Sequence, residues 1–444
     1  MNTRKNRSIL AIMLAYSAAA LAVVPLCGPL SASLRGFAAI LTAPAQLTID
    51  YFLLGTTGGT FLNVGLVGFA CTAVFAASGA ALSGVSLMAF FLTIGFSFFG
   101  MNLLNIWPCL LGTWLYTRAA REPFAGQVNI AVFSTALAPF VSEALFRYPA
   151  FSGQPALRLL LGVGLGALAG FLMPMLCRHS PNLHKGYTLY NAAAVAGFIG
   201  ILLSSLMFRA AGVEIPTNTQ IGGDHRLAVL GFALTTSLAA LLAGFLLNGR
   251  SAKGYAAMLR STGHRCDFTQ SAGVPLTLMH TGAFGLFATA YYVLTGAPMT
   301  GPTLGSIVCL LAIAPCGAHL LNVLPIMAGY GLASVLFHFQ LSTQSIVVGF
   351  SFACALCQIA GHFGALCGVA AGFLHACLVT TVVGIHGGFC LYNGGFTSGI
   401  CAILMVPVLE TFFMPMDRLH LIPRRLKLPA RQAHAERREH HRDP

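Results

Sequence analysis

The sequence predicts an all-α polytopic membrane protein built from two tandem homologous repeats. Three observations carry that expectation. Of 444 residues, 57% are hydrophobic and only 8% are charged, where a soluble domain carries about 25% charged residues. Apolar runs close to the ~20 residues needed to cross a bilayer recur along the whole chain. The chain also matches itself, in polar as well as apolar letters. Twenty-four basic and eleven acidic residues cannot cover a globule of this size, which excludes a soluble enzyme, a secreted disulfide scaffold and a disordered chain.

The self-match is ungapped over a long stretch at a displacement of 217 positions. Asp50, Gly65, Gly68, Thr72, Asn105 and Pro108 meet Asp267, Gly282, Gly285, Thr289, Asn322 and Pro325. A second block matches at 202, where His184, Gly186, Leu189, Tyr190 and Asn191 meet His386, Gly388, Leu391, Tyr392 and Asn393. In so apolar a chain, shared Asp, Asn, Pro and His point to duplication. The first repeat is read as residues 1–217, the second as 218–416, and a basic tail follows at 417–444. The match also pairs the first hydrophobic segment with the internal His225–Leu242, so that segment is expected to be a retained repeat element and not a cleaved signal.

Candidate spans in the first repeat are 8–25, 60–78, 84–101, 103–118, 129–146, 158–177 and 187–208. In the second they are 226–247, 274–296, 302–317, 319–337, 343–361, 363–384 and 389–412. From Gly84 to Tyr116 there is neither a charge nor a polar loop, so a re-entrant hairpin around Asn105–Pro108 is the alternative to two spans. Basic residues set orientation. With seven spans per repeat, the inner loops hold Arg4, Lys5, Arg7, Arg118, Arg121, Arg178, Lys185, Arg250, Lys253, Arg260 and Arg265. Arg35, Arg147, Arg158, Arg209 and Arg226 then fall outside. Seven is odd, so the second copy would be inverted, and both termini would be cytoplasmic. The eight basic residues from Arg418 to Arg442 read as an anchor beside anionic lipid, and no nucleic-acid partner is expected.

Two motifs are candidates for chemistry. Leu-Leu-Asn-x-x-Pro-x-x-x-Gly occurs at Leu103–Gly112 and Leu320–Gly329. Proline frees a carbonyl, so a broken helix with Asn105 and Asn322 on a solute path is the functional reading. A proline kink with the Asn tied to a neighbour is the other. His-x-Gly-[Tyr/Phe]-x-Leu-Tyr-Asn occurs at His184–Asn191 and His386–Asn393, with Gly394 following the second copy. Tyr190, Asn191, Tyr392, Asn393 and Gly394 are therefore expected at a solute entry, or alternatively at the membrane interface. Glu143 is the acid inside a predicted span and must be paired, protonated or wet. It is a candidate coupling group, with Gln358 placed opposite it in the second copy and Arg147 nearby. Asp50 and Asp267 are expected to clamp their connecting segments by pairing with Arg35 or Lys253, or else to gate. His280, His319 and His375 are expected to be hydrogen-bonded core residues. The cysteines, thirteen in number, read as small packing residues, and no metal site or other cofactor is expected. No nucleotide-binding, metalloprotease or nucleophile-elbow motif is present.

Leu320-Leu-Asn-Val-Leu-Pro325, Ala371-Gly-Phe-Leu-His375 and Gly387-Gly-Phe-Cys-Leu-Tyr-Asn-Gly-Gly-Phe396 resemble an uncharacterised bacterial family of multi-span proteins, catalogued as a domain of unknown function. That resemblance implies a bacterial cytoplasmic membrane but no activity or site residues. Urea-transporter-like and nucleobase-transporter-like inverted repeats are analogies of fold alone. The expectation is a transporter or channel for a small polar solute, not an enzyme, embedded in lipid, with a homo-oligomer as a candidate assembly. The alternative is a membrane subunit of a redox or lipid-modifying complex, or an intramembrane enzyme.

Overall fold

The computed structural model describes residues 3–47, 49–217, 222–337, 339–417, 420–421 and 424–425, so nearly all of the basic tail lies outside the described residues. The first repeat comprises α1 (Thr3–Val23), α2 (Leu30–Leu41), α3 (Tyr51–Ser78), α4 (Gly84–Phe96), α5 (Trp107–Ala119), α6 (Val128–Ser134), α7 (Pro139–Phe146), α8 (Pro155–Cys177), α9 (Pro181–His184) and α10 (Asn191–Ser204). The second comprises α11 (Arg226–Leu247), α12 (Tyr255–Leu259), α13 (Phe268–Ser271), α14 (Val274–Leu294), α15 (Gly301–Ile313), α16 (Leu320–Phe337), α17 (Gln344–Ala353), α18 (Cys357–Phe363), α19 (Ala365–Ile385) and α20 (Asn393–Phe412). Among the described residues, nine helices are long and apolar enough to cross a membrane, or ten if the bent pair spanning 128–151 counts as one. The chain is a polytopic membrane protein.

All seven hydrophobic segments of each repeat are helical, but the third is short. At 13 residues, α4 rises about 20 Å, less than the ~30 Å hydrocarbon core. Its start lies beside the amino-terminal end of α1, because Asn6 Nδ2 donates to Ala80 O at 2.9 Å and Asn6 Oδ1 accepts from Leu82 N–H at 3.0 Å. The end of α5 returns to that same rim, where Glu122 pairs with Arg178 after α8. The third and fourth segments therefore form an in-and-back pair, the alternative raised for the Asn105–Pro108 region. The eleven basic residues from Arg4 to Arg265 named for the inner loops all sit at this first rim. Arg147, Arg158, Arg209 and Arg226 lie at the chain ends on the second rim, with Arg35 in α2.

The repeat-equivalent helices α4 and α15 pack side by side and run in opposite directions. A Cβ on Gly84 would lie 2.9 Å from Pro315 O, just past the end of α15, and one on Gly301 would lie 3.0 Å from Phe98 O, just past the end of α4. Both amino-terminal ends are capped across the repeats. Asp267 accepts from Gly84 N–H at 3.3 Å, and Asp50 accepts from Gly301 N–H at 3.1 Å. Each aspartate also caps its own helix, accepting from Thr269 N–H and Phe52 N–H respectively, both at 2.9 Å. A carboxylate is stabilised at a helix amino terminus because free N–H groups and the helix dipole point at it. The expected pairs with Arg35 or Lys253 are not among the ion pairs of the described residues; the aspartates join the two repeats instead.

Packing refines the register. Ser17 meets Gly68 as Ser237 meets Gly285, so α1 matches α11 at 220 positions, three residues beyond the sequence alignment. The short 3-10 turns at Thr135–Leu137 and Cys354–Leu356, which break the fifth segment of each repeat, stand 219 positions apart, counting from Thr135 to Cys354. Val141 against Gly166 repeats as Ala360 against Gly368 at the same displacement. This corrects the expectation for Gln358: the residue opposite Glu143 is His362, and Gln358 is opposite Pro139.

The α4–α15 contact is close enough for a test. On Gly95, a Cβ would fall 2.6 Å from Cys309 Sγ and 2.9 Å from Gly305 O, whereas Gly231 has open space. Gly95→Ala should cost about 1–3 kcal/mol through overpacking and lower the thermal midpoint in detergent by several degrees. Gly231→Ala should leave that midpoint unchanged or slightly raised.

Candidate functional site

The Leu-Tyr-Asn turns carry the two repeats into one another. A 3-10 turn inside a helix leaves a carbonyl without its usual partner, and in lipid that group must find one in the protein. The break in the second repeat presents Ala355 O, which accepts from Leu189 N–H at 3.2 Å; the break in the first presents Ala136 O, which accepts from Leu391 N–H at 3.0 Å. Each turn thus completes the broken helix of the other repeat. The next residue of each turn points to the centre. Tyr190 and Tyr392 lie 6.3 Å apart, both 2% exposed. Phe352 and Phe96, stacked on one another at 5.8 Å, pack against them, with Phe96 in edge contact with Tyr392 at 5.0 Å and Phe352 5.4 Å from Tyr190. Tyr190 Oη donates to Cys309 O at 3.2 Å. The two tyrosines are brought together as expected, inside an aromatic cluster.

The asparagines hold this geometry from behind. His184 Nε2 meets Asn191 Oδ1 at 2.8 Å and His386 Nε2 meets Asn393 Oδ1 at 3.0 Å. Asn191 Nδ2 donates to Cys177 O, at the end of α8, and Asn393 Nδ2 to Val379 O, within α19. Gly394 accepts at its carbonyl from His375 Nε2 at 2.8 Å, and a Cβ there would lie 2.7 Å from Phe352. Asn105 and Asn322 play one role twice. Their Oδ1 atoms accept from Asn102 N–H and His319 N–H, and their Nδ2 atoms donate to Gly100 O and Gly317 O. Asn105, Asn322 and Asn393 are buried and Asn191 is half-buried, and all four spend their polar atoms on the turns that place the helices. His280, His319 and His375 are buried and hydrogen-bonded, as expected. The cysteines are free thiols, mostly buried.

The chain belongs to the DUF1576 family. That family, described as a protein of unknown function, matches residues 30–209 and 247–411. No curated protein and no solved structure matches the chain. Both Leu-Tyr-Asn turns, both Asn-Pro segments and both helix breaks fall within the matched regions.

Two polar clusters occupy repeat-equivalent places at opposite rims. At the second rim Glu143 is fully buried, and Arg147 Nε donates to both of its oxygens at 2.9 Å. Arg147 also donates to Gln46 Oε1 at 3.3 Å, and Gln46 Nε2 donates to Pro216 O and Gly387 O at 2.7 and 2.9 Å. The carboxylate is thus a paired buried charge that ties the first repeat to the loop before Phe389. At the first rim the equivalent place holds His362, whose Nδ1 is hydrogen-bonded to Tyr187 Oη at 2.7 Å. His264 stacks on both rings. Tyr187, His264 and His362 were not singled out from the sequence. The signal that finds His362 is the match of Phe133-x-x-Ala136-Leu137 to Phe352-x-x-Ala355-Leu356, which sets the 219-residue register.

These contacts separate two kinds of variant. Glu143→Ala leaves a largely buried guanidinium unpaired and should destabilise by about 3 kcal/mol. Asn393→Ala leaves a buried imidazole N–H unsatisfied, at about 2 kcal/mol. Thermal unfolding of purified variants checks both, and midpoints within a degree of wild type would contradict these assignments.

Proposed function

We propose that the protein is a cytoplasmic-membrane transporter or channel for a small polar solute, formed by two repeats of opposite orientation. The observation that carries this reading is the crosswise wiring of the centre, where each helix break is completed by the other repeat's Leu-Tyr-Asn turn. Antiparallel contact between the equivalents α4 and α15 supports a two-fold axis lying in the membrane plane. An odd count of crossings per repeat agrees with it: α1, α3, the α6–α7 pair, α8 and α10. Inverted repeats with interrupted helices meeting near the midplane are how many secondary transporters build a solute site. The basic residues gathered on the first rim support a cytoplasmic location for that rim.

In this reading Tyr190 and Tyr392 line the path, and Asn105, Asn322, Asn191 and Asn393 are positioning residues. The centre offers ring faces, hydroxyls and backbone carbonyls, which suits a polar solute without net charge. The aromatic cluster and the Glu143–Arg147–Gln46 clamp close the path in this conformation. Opening it requires the two breaks to part, and each break gives up only one hydrogen bond across the repeats.

Reconstituted protein can be tested with a panel of small neutral polar metabolites, each imposed as an osmotic gradient and followed by light scattering. At least one solute should cross faster than in protein-free liposomes. Tyr392→Ala, at wild-type protein level, should change that rate by about tenfold or more. A panel in which the protein accelerates nothing would reject the proposal.

A further inference from the structure

We infer that the first rim carries a proton-binding gate, in which uptake of a proton by the stacked imidazoles His264 and His362 releases the loop that their stack holds closed beside an open polar pocket. This inference rests on the transporter reading and adds its coupling ion. The pocket measures about 390 Å³ and is lined by Asn182, Lys185, Tyr187, His264, Arg265 and Glu410. It lies where the loop before α10 of the first repeat meets the loop before α13 of the second.

Tyr187 and His264 line it, and His362 packs against both. Tyr187 stacks on His264 at 4.4 Å and lies 5.5 Å from His362, and the two imidazoles stack at 4.9 Å with an interplanar angle of 17°. Two imidazolium rings at that separation repel, so the stack is stable only while at least one ring is neutral. Tyr187 Oη and His362 Nδ1 share a hydrogen bond of 2.7 Å that holds the phenol on the stack. Behind the stack, Gln358 is 2% exposed, and its Oε1 and the Nδ1 of His264 are both buried without a hydrogen-bond partner.

Charges face the stack from every side. Lys185 comes from the loop before α10, Arg265, Cys266 and Asp267 from the loop before α13, and Glu410 from α20, paired with Lys185. His184 is held by Asn191 on the adjoining turn. Asp417 and His420 follow α20 beside the α18–α19 junction, where His362 O accepts from Met416 N–H and His420 O from Ala365 N–H. The Lys185–Glu410 pair leaves Arg265 as the nearest cation to the stack, and its guanidinium also donates to Lys185 O. Burial first, then the positive charges of His362 and Arg265, push the His264 imidazole down to about 4. Tyr187 is pushed up to about 12 by burial, so it stays a donor. The sign follows: the sealed form holds neutral imidazole, while an opened, hydrated ring regains ordinary basicity. Acidification from about pH 6.5 toward 4 therefore favours opening, and pH above that window has no further effect.

The repeats support a gate at this position. His362 is the counterpart of Glu143, and Tyr187 of Phe389, so the two rims place different chemistry at the same point of each repeat. The second rim has a permanent ion pair, and the first has imidazoles that a proton can charge.

Cys266 reports on the gate, since its Sγ contacts His264 O at 3.6 Å. Purified protein lacking Cys27 and Cys377 would be labelled with a charged maleimide between about pH 8 and pH 5, beside the His264→Gln/His362→Gln double variant. The ratio of the two at each pH removes the thiol's own chemistry. The wild-type to variant ratio should rise several-fold as pH falls. Tyr187→Phe, which carries the residue found at the counterpart position, removes the hydroxyl hydrogen-bonded to His362, loosens the closed stack and should shift the rise to higher pH. A ratio that stays flat, or a Tyr187→Phe profile identical to wild type, overturns the gate. The labelling needs no solute, so its failure is distinct from a failure of the transport reading.

Discussion

The structure depends on one constraint: a helix broken inside a water-free interior must find a donor for each carbonyl its break exposes. In this chain the donors come from the other repeat. Leu189 and Leu391 bond Ala355 and Ala136, and neither repeat can satisfy its own break in the arrangement seen. The aspartates extend the same logic to the short helices, where Asp50 and Asp267 each cap the amino terminus of a helix in the opposite half. Polar pairing across the interface therefore fixes how the halves dock, while the apolar surface alone would allow many arrangements. The cost of leaving a buried peptide group unpaired is several times that of losing an apolar contact.

A duplicated interface of this kind starts with the same residues at both rims. Divergence is visible at matched positions. Phe52, Phe61 and Phe232 fill the crevice between α1 and α11 toward the second rim. Toward the first rim the same helices are lined by alanines and enclose an open groove of about 760 Å³. Glu143 with Arg147 stands opposite His362 with Tyr187. The shared scaffold keeps the docking geometry, and the rim residues set which end is sealed and by what.

Much of the fold was legible in the sequence, for physical reasons that can be named. Lipid forces apolar composition, so the segments stood out. Duplication preserved Asp50, Asn105, His184 and Asn191 with their counterparts because each holds backbone groups that have no water to turn to. The same fact explains the main shift in reading. Polar residues retained in both copies pointed to a solute path, yet the asparagines are spent on helix turns and the aspartates on caps. The in-and-back pair was ambiguous because a 13-residue helix and a kinked span share one apolar pattern. The partner of Glu143 was misplaced because an alignment of apolar letters slides by a turn without penalty, whereas packing at Gly166 and Gly368 does not. His264 was invisible because the rings it meets lie far away in sequence.

The opposite orientation of the two repeats is the claim on which the reading stands, and loop accessibility tests it most directly. Arg121, before α6, and Gln340, before α17, occupy corresponding exposed loops of the two repeats. Single cysteines at these positions, in a chain lacking Cys27, Cys266 and Cys377, would be labelled with a membrane-impermeant maleimide in vesicles of known sidedness. The account predicts that the two are labelled from opposite faces, with Arg121→Cys on the cytoplasmic side. Labelling of both from the same face would contradict it.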